Sequence, residues 1–159
     1  MPILREQITT SLPIEEAFAF VADFGNSMLW DPGVAKSERI GERPTGLGSR
    51  YRLGVRMRGN VVPMEYEITT FEAPSRVVLT GDGSSVHAVD EIEFQALPTG
   101  TRIDYTADIR LKGLLRLAEP FLGGAFAQIG RDALHGMQRA LDERAAGMPA
   151  AGRQGDGDR

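Results

Sequence analysis

The stretch GLLRLAEPFLGGAFAQIGRDALHGMQRALDERAA, residues 113–146, decides the fold. Its apolar residues recur at steps of three and four, which is the spacing of one helical face. Pro120 lacks an amide donor and would interrupt a helix, but proline suits a first helical turn. The pattern predicts a short helical turn over residues 114–118 and a long amphipathic helix from near Pro120, lying on the rest of the chain. The predicted apolar face comprises Leu114, Leu117, Ala118, Phe121, Leu122, Ala125, Phe126, Ile129, Ala133, Met137, Ala140 and Leu141.

Gly123 and Gly124 leave the start of this helix without side-chain bulk. A glycine within a helix commonly marks close packing against a strand or loop, and this is the interpretation we favour. The alternative is that the two glycines leave room for a ligand.

The composition is that of a globular domain, with 159 residues, 42% apolar and 25% charged residues, and a formal net charge of −4. A negative net charge argues against nucleic acid as the main partner, because such binding needs a basic surface. The chain has no cysteine, which excludes disulfides, a thiolate nucleophile and cysteine-ligated metal sites.

Residues 1–11 lack the basic and then apolar pattern of a signal peptide, and no apolar run approaches the roughly 18 residues of a membrane span. We therefore expect a cytoplasmic protein without stable membrane insertion. His87 and His135 fall on predicted outer faces and are far apart in sequence, so we expect no metal site. No cofactor motif is present, and we expect no cofactor.

The N-terminal part of the chain predicts one strand and two short helices. Residues 3–10 alternate and lead through Pro13 into a helix that ends near residues 23–25. Residues 25–33 contain Trp30 and predict a short helix followed by a loop.

From Val34 to Leu111 the apolar period changes to two, which is typical of strands. Six strands then follow one another without an intervening helix, and Gly59 with Asn60 has the chemistry of a two-residue hairpin turn. With the first strand, this predicts an antiparallel sheet of about seven strands. The predicted strands of this region are residues 34–40, 49–57, 61–71, 76–80, 86–97 and 101–111.

Alternate residues of these strands separate an apolar face from a charged face. A single helix has to cover the apolar face, so the sheet must curve around it. We assign residues 1–146 to one domain. The glycine-rich, polar residues 147–159 are expected to form a disordered tail.

This order of elements resembles the START-like (SRPBCC) superfamily and, within it, the polyketide cyclase/dehydrase and lipid-transport family. The resemblance covers about residues 3–145. It implies an α+β helix-grip fold with a hydrophobic cavity between the curved sheet and the C-terminal helix. Family members include binders, carriers and catalysts. The residues that carry the resemblance are the stretch from Ile8 to Asp23, the segment from Trp30 to Gly33, Gly46 with Gly48, the segment from Phe71 to Pro74, and the segment from Lys112 to Pro120.

All three tyrosines, Tyr51, Tyr66 and Tyr105, fall on the predicted concave face. A phenol on a cavity wall can donate its proton to a ligand carbonyl or hydroxyl, whereas a core phenol bonds to the protein. We favour the core interpretation for any single tyrosine, but expect at least one to contact a ligand.

Asp90 shares the parity of inward-facing residues on its strand, and Glu6 raises the same question more weakly. An unpaired inward carboxyl would have a raised pKa and could act as an acid or base. A bulge near Val89 would instead turn Asp90 to solvent. We favour either this bulge or a structural ion pair.

Further candidates follow from position. Trp30 lies where START-like proteins often close one end of the cavity, and is equally consistent with an anchor that holds the loop to the sheet. Met64 shares the inward face, and Leu122 and Phe126 lie on the apolar face of the long helix. The predicted ligand-binding residues are Trp30, Tyr51, Met64, Tyr66, Asp90, Tyr105, Leu122 and Phe126.

A basic stripe on one strand, Arg50, Arg52, Arg56 and Arg58, suggests a phosphate or membrane surface. Glu65 and Glu67 on the neighbouring strand offer a simpler explanation. Cross-strand ion pairs on a solvated sheet account for the stripe, and we favour them.

The leading hypothesis is binding or transport of a small hydrophobic ligand, such as a lipid or polyketide. The alternative is an enzyme of the cyclase or dehydratase type, in which a cavity tyrosine or Asp90 moves protons. The enzyme requires two polar groups that converge inside the cavity. A third possibility, a protein-docking module, would have a filled core and an exposed apolar patch. The sequence does not fix the oligomeric state.

Overall fold

The computed structural model describes residues 3–57 and 59–148 and contains one antiparallel sheet of seven strands. Strand β1 lies at one edge and pairs with β7, after which the strands follow in descending order to β2 at the other edge. The predicted seven-strand antiparallel sheet is thus confirmed. The strands are β1 (Ile3–Thr10), β2 (Val34–Ile40), β3 (Arg50–Met57), β4 (Asn60–Glu72), β5 (Arg76–Gly83), β6 (Val86–Leu97) and β7 (Gly100–Leu111).

The helices agree with the predicted order. Helix α1 (Ile14–Ala22) and a 3-10 helix (Phe24–Leu29) follow β1, and a second 3-10 helix (Gly113–Ala118) precedes the long helix α2 (Glu119–Gly147). The Glu119 carboxylate accepts a hydrogen bond from the Leu111 amide at 2.7 Å, which ties the start of α2 to the end of β7.

Side-chain parity places the apolar residues of the sheet in the core. Tyr51, Ile92 and Ile103 are fully buried on the inner face. At one end of the sheet, the Phe18 ring of α1 packs edge-on against Phe71 and Phe94, with centroid distances of 5.3 and 5.1 Å. The alternation read from the sequence therefore identifies the face on which the core forms.

Several boundaries differ from prediction, most of all that of β5, which runs to Gly83 where the predicted strand ended at residue 80. Strand β4 begins at Asn60, which pairs with Met57, so the hairpin connection lies one residue earlier than predicted. Gly59 has φ of +80°, the left-handed conformation that glycine adopts without strain. Helix α2 continues to Gly147. Most of the predicted tail, residues 149–159, and Arg58 of the basic stripe lie outside the described residues.

The C-terminal half of α2 is firmly held. Met137 and Leu141 are fully buried. The Asp142 carboxylate accepts a hydrogen bond from the Thr10 hydroxyl at 2.6 Å, and Gln138 donates to the Thr9 carbonyl at 3.0 Å. These contacts fix this half of α2 along β1.

The second 3-10 helix and the first turns of α2 do not bury the apolar face that was predicted for them. The side chains of Leu114, Leu117 and Phe121 are 87%, 76% and 86% exposed, and Ile129 is also exposed. A helix of 29 residues is about 43 Å long. Strand β1, its main neighbour in the sheet, has eight residues and is about 27 Å long. Periodicity identified one face of the helix, but the sheet is too short to cover all of it.

The favoured interpretation of Gly123 and Gly124, close packing against a strand or loop, is wrong. A Cβ atom at Gly123 or Gly124 would meet nothing within 4 Å, so neither glycine provides close packing. Neither of them lines a cavity within the described part of the chain. The close approach occurs instead at Gly136, where a Cβ atom would lie 2.0 Å from the Trp30 carbonyl oxygen.

The basic stripe makes surface contacts, of which one is a pair expected from the sequence. Arg50 pairs with Glu65 across β3 and β4. Arg52 pairs with Glu38 of β2 at 3.3 Å, and Arg56 donates to the Pro32 carbonyl at 3.0 Å. Among residues 3–57 and 59–148, no helix combines the length and apolar character needed to cross a bilayer.

Candidate functional site

An inner cavity of about 130 Å³ lies between the sheet and the middle of α2. Its walls come from most of the strands, from the loop after the first 3-10 helix and from Ala133 and Leu134 of α2. Four of the predicted site residues line it, namely Trp30, Tyr66, Asp90 and Tyr105. The topology therefore brings together residues that are up to 75 positions apart.

Asp90 faces inward and is only 6% exposed. The pairing of β6 with β5 and with β7 runs through Asp90 without a shift, so the favoured bulge near Val89 is wrong. Among the described residues no cation pairs with Asp90. Burial raises the pKa of the Asp90 carboxyl to about 7, a hydrogen bond with Tyr105 partly offsets this, and the charge of Asp31 adds to the rise.

Two phenols lie beside this carboxyl. Tyr105 is on the same face as Asp90, two residues from its cross-strand partner Ala107. Tyr66 crosses over Gly81, where a Cβ atom would lie 2.4 Å from the Tyr66 ring. Burial, and then the charge of Asp90, raises the pKa of both phenols well above the usual value. Both hydroxyls therefore stay protonated and can donate hydrogen bonds.

Asp31 is a second carboxyl in this cavity, and the sequence analysis missed it. It accepts a hydrogen bond from the Gly33 amide at 2.7 Å. Burial raises its pKa to about 6, the Gly33 bond opposes this rise, and the charge of Asp132 adds to it. An aspartate before Pro32 and Gly33 has the pattern of a turn. That pattern hid its burial, which depends on α2 folding over the loop.

Trp30 forms the wall between the inner cavity and a shallow outer groove, since it lines both. Its ring is 4% exposed and packs edge-on against Phe24 and Tyr105, at centroid distances of 6.0 and 6.4 Å. The buried Nε1 atom of Trp30 has no hydrogen-bond partner within the described part of the chain. A buried donor of this kind would be satisfied by an acceptor on a ligand or by water.

A second, apolar cavity of about 280 Å³ lies under the N-terminal half of α2. The predicted residues Leu122 and Phe126 line this cavity, with Met57 and Val62 opposite them. Ile129 lines both cavities. The two spaces are therefore neighbours along α2, one with polar groups and one almost wholly apolar.

The remaining predicted site residues lie elsewhere in the core. Tyr51 and Met64 are buried but do not line the inner cavity. The Tyr51 hydroxyl lies 3.5 Å from the Thr45 hydroxyl, as expected for a core phenol with a partner in the protein. Glu6, the weaker carboxyl candidate, does line the inner cavity.

The inner cavity thus combines acids, phenols and an indole N–H with apolar walls. No cluster of three potential metal ligands occurs among residues 3–57 and 59–148. Asp90 and Tyr105 are two polar groups that converge inside the cavity, which is the condition set above for proton transfer. The same groups can also orient a bound molecule by hydrogen bonds.

Comparison with known proteins agrees with this architecture. No curated protein matches the chain. The Zhui aromatase/cyclase from Streptomyces sp. R1128 has a TM-score of 0.74 and 18% identity, over 94% of this chain and 97% of that chain. A START superfamily protein from Mycobacterium smegmatis has a TM-score of 0.70 and 15% identity, over 92% and 99%. At these identities the solved structures establish the START-like helix-grip fold alone.

The family model described as polyketide cyclase / dehydrase and lipid transport matches residues 1–142. This match covers nearly the whole chain, including every strand and the cavity-lining part of α2. The chain therefore belongs to the polyketide cyclase / dehydrase and lipid transport family.

Proposed function

We propose that the protein binds and carries a small, mainly hydrophobic molecule in the inner cavity. The observation that carries this proposal is the cavity itself, which lies between sheet and helix and keeps polar groups on otherwise apolar walls. An engineered apolar cavity of about 150 Å³ takes up benzene, so the inner cavity has the size for one ring. A longer molecule would extend past Ile129 into the second cavity.

The apolar walls supply affinity and the polar groups supply orientation. Burial of apolar surface is favourable by about 25 cal/mol per Å², but association costs several kcal/mol. A ring-sized ligand would therefore bind modestly by shape alone. The Trp30 Nε1 atom and the hydroxyls of Tyr66 and Tyr105 are placed to donate to a carbonyl or hydroxyl oxygen.

The direct test is to purify the protein from its natural host and to record its mass under native conditions. We expect one bound molecule, which denaturation would release for identification. The matched control is Ala133→Leu, which adds the bulk of an isopropyl group at the cavity wall. Recovery of the same amount from this variant would place the molecule outside the inner cavity and contradict the proposal.

A cyclase or dehydratase type of enzyme is a second candidate, favoured by the approach of Tyr105 to Asp90. A carboxyl with pKa of about 7 is half ionised at neutral pH and can remove a proton next to a carbonyl. We expect the protein to accelerate deuterium incorporation next to the carbonyl of cyclohexanone in D₂O, observed by proton NMR. An Asp90→Asn variant would lack this acceleration. Equal exchange rates with wild type and with buffer would rule out this chemistry for ring-sized ketones.

A further inference from the structure

The inner cavity has an unbalanced set of charged groups. Three acidic side chains line it, Glu6, Asp31 and Asp90, and no lysine, arginine or histidine does so among the described residues. The overall composition does not account for an all-acidic cavity, because the sequence has nearly as many basic residues, 18, as acidic residues, 22. The imbalance is a property of the cavity.

The groups around the acids do not compensate for their charge. On every element packed against them, the nearest titratable neighbours are phenols or further acids, and Asp132 of α2 lies close enough to Asp31 to raise its pKa. Among the described residues, the nearest basic groups lie outside the cavity, with His135 and Arg139 in the outer groove and Arg56 of β3 donating to the Pro32 carbonyl at 3.0 Å. The titratable groups around the acids, taken element by element, are Glu6 on β1, Tyr66 on β4, Asp90 on β6, Tyr105 on β7 and Asp132 on α2, with His135 and Arg139 in the outer groove.

The walls next to these acids are aromatic. Phe24, Trp30, Tyr66 and Tyr105 line the same cavity. Phe24 lies 5.3 Å from Tyr66, and Trp30 lies 6.4 Å from Tyr105, between ring centroids. Aromatic faces attract an ammonium group through their quadrupole, and the attraction is stronger away from water. Carboxylates and aromatic faces together are the environment that a buried organic cation requires.

We propose that the physiological ligand of the inner cavity is a small hydrophobic amine in its protonated form. The ammonium group would lie between Asp90 and Asp31 and donate hydrogen bonds to both carboxylates. An apolar ring or short chain would fill the remaining space, and an oxygen on the ligand could accept from the Trp30 N–H. This inference rests on the proposed function, of which it specifies the ligand class.

The chemistry favours a cation over a neutral or anionic ligand. A neutral ligand leaves two buried carboxyls without a counter-charge, so they either take up protons or stay ionised at high cost. An anion would add like charge to the cavity. A monocation offsets one of these negative charges and reduces the imbalance, and a small amine is also the size that the cavity accepts.

The test compares benzylamine with benzyl alcohol, toluene and benzoate, which share one ring and differ in charge. Trp30 is the only tryptophan of the chain and lines the inner cavity as well as the outer groove, so its fluorescence reports on that wall, and its buried indole N–H resonance reports on the inner face. At pH 8 we expect benzylamine to bind at least tenfold more tightly than benzyl alcohol, and benzoate to show no binding.

Two variants test the role of the acids. Asp90→Asn and Asp31→Asn should each reduce the preference for benzylamine over the alcohol to threefold or less, without weakening toluene binding. Glu42→Gln, in an exposed loop, is the control and should keep the wild-type preference. A retained preference in both acid variants would overturn the inference, and circular dichroism would verify that the variants are folded.

The pH dependence gives an independent readout. Benzylamine stays protonated between pH 5 and pH 8, while Asp31 and Asp90 ionise within that range. Its affinity should therefore rise with pH, and that of toluene should not. Equal binding of amine and alcohol would overturn the amine inference but leave the proposed function standing. Failure of all four compounds to bind would contradict both.

Discussion

At the scale of single residues, the site depends on an acid kept away from water. Strand parity points the Asp90 side chain inward unless a bulge intervenes, and the uninterrupted register of β6 shows that it does point inward. Because the folded protein holds the proton of Asp90 more tightly than the unfolded chain does, the stability of the fold depends on pH.

The sign of this dependence follows from the direction of the shift. Between its ordinary pKa of 3.8 and about 7, Asp90 is ionised in the unfolded chain but protonated in the folded protein. Stability therefore falls as pH rises through this window and levels off above it. An Asp90→Asn variant has no such group. Its free energy of unfolding relative to that of wild type should therefore increase by about 4 kcal/mol between pH 4 and pH 7.5.

Urea unfolding at pH 4, 5.5 and 7.5 would measure this difference. Asp31 contributes to the pH dependence of stability in the same direction in both proteins. The control variant Glu42→Gln should have the stability of wild type at every pH. A difference between Asp90→Asn and wild type that does not change with pH would mean that the Asp90 carboxyl is not desolvated.

Gly81 supports the site at the same scale, because the Tyr66 ring occupies the space of its missing side chain. In a Gly81→Ala variant the Cβ atom would lie 2.4 Å from the ring, so the phenol must move. We expect a loss of about 1 to 3 kcal/mol of stability and at least tenfold weaker binding at the inner cavity.

The control for this change is Gly46→Ala, where the nearest atom to the new Cβ is the Pro44 carbonyl oxygen at 3.9 Å. Fluorescence titration of Trp30 with toluene would compare the two variants. Unchanged binding in Gly81→Ala would show that the position of Tyr66 does not matter to the cavity.

At the scale of elements, the two halves of α2 have different surroundings. Its C-terminal half is buried against β1 and the Trp30 loop, whereas its N-terminal half covers the second cavity with Leu122 and Phe126 and exposes Phe121. Substitutions in the two halves should therefore have opposite effects, and the glycines of this helix offer a matched pair.

A Gly136→Ala change should cost about 3 kcal/mol, because its Cβ atom would overlap the Trp30 carbonyl oxygen and force loop and helix apart. A Gly124→Ala change should instead stabilise the protein by about 0.5 to 1 kcal/mol. Alanine is the better helix former, and the position is open to solvent. Thermal and urea unfolding of both variants would test this contrast. Destabilisation by Gly124→Ala would indicate that the N-terminal half of α2 is packed against something in solution.

The same element shows how far sequence reasoning reaches. Strand positions followed from the period of two, because each strand is half buried and its side chains alternate. The position of α2 followed from Pro120 and the apolar spacing. What covers each part of α2 did not follow, since Leu114, Leu117 and Phe121 have the same pattern as the buried Met137 and Leu141.

For the candidate site, too, the sequence predicted which face a side chain is on but not where it lies along that face. Parity placed Tyr66, Tyr105 and Asp90 on one inner face, and all three line the cavity. It also placed Tyr51 there, which lies in the core beyond the cavity, because parity gives a face and not a position along it. Asp31 was missed because a loop residue has no parity, and its burial is decided by a helix about one hundred residues later.

At the scale of the whole molecule, the inner cavity links ligand binding to stability. A ligand that binds only the folded state raises the free energy of unfolding by about 2.7 kcal/mol at one hundred times its Kd. Urea unfolding of wild type should show this increase when the molecule recovered from the protein is added in excess. An Ala133→Leu variant, in which the cavity wall is filled, should unfold at the same urea concentration with and without it.

Comparable stabilisation of both proteins would mean that the molecule binds elsewhere, and the second cavity under Leu122 would then be the place to examine. Its volume of about 280 Å³ and apolar walls suit a chain rather than a charged group.

The contact between Gly136 and the Trp30 carbonyl has a kinetic consequence. Trp30 and Asp31 line both the inner cavity and the outer groove, and the Trp30 carbonyl packs directly against Gly136 of α2. A ligand that leaves on this side therefore has to part the loop from the helix. Its residence time depends on how often they separate, and contacts of the ligand with Trp30 or Asp31 would make that separation rarer.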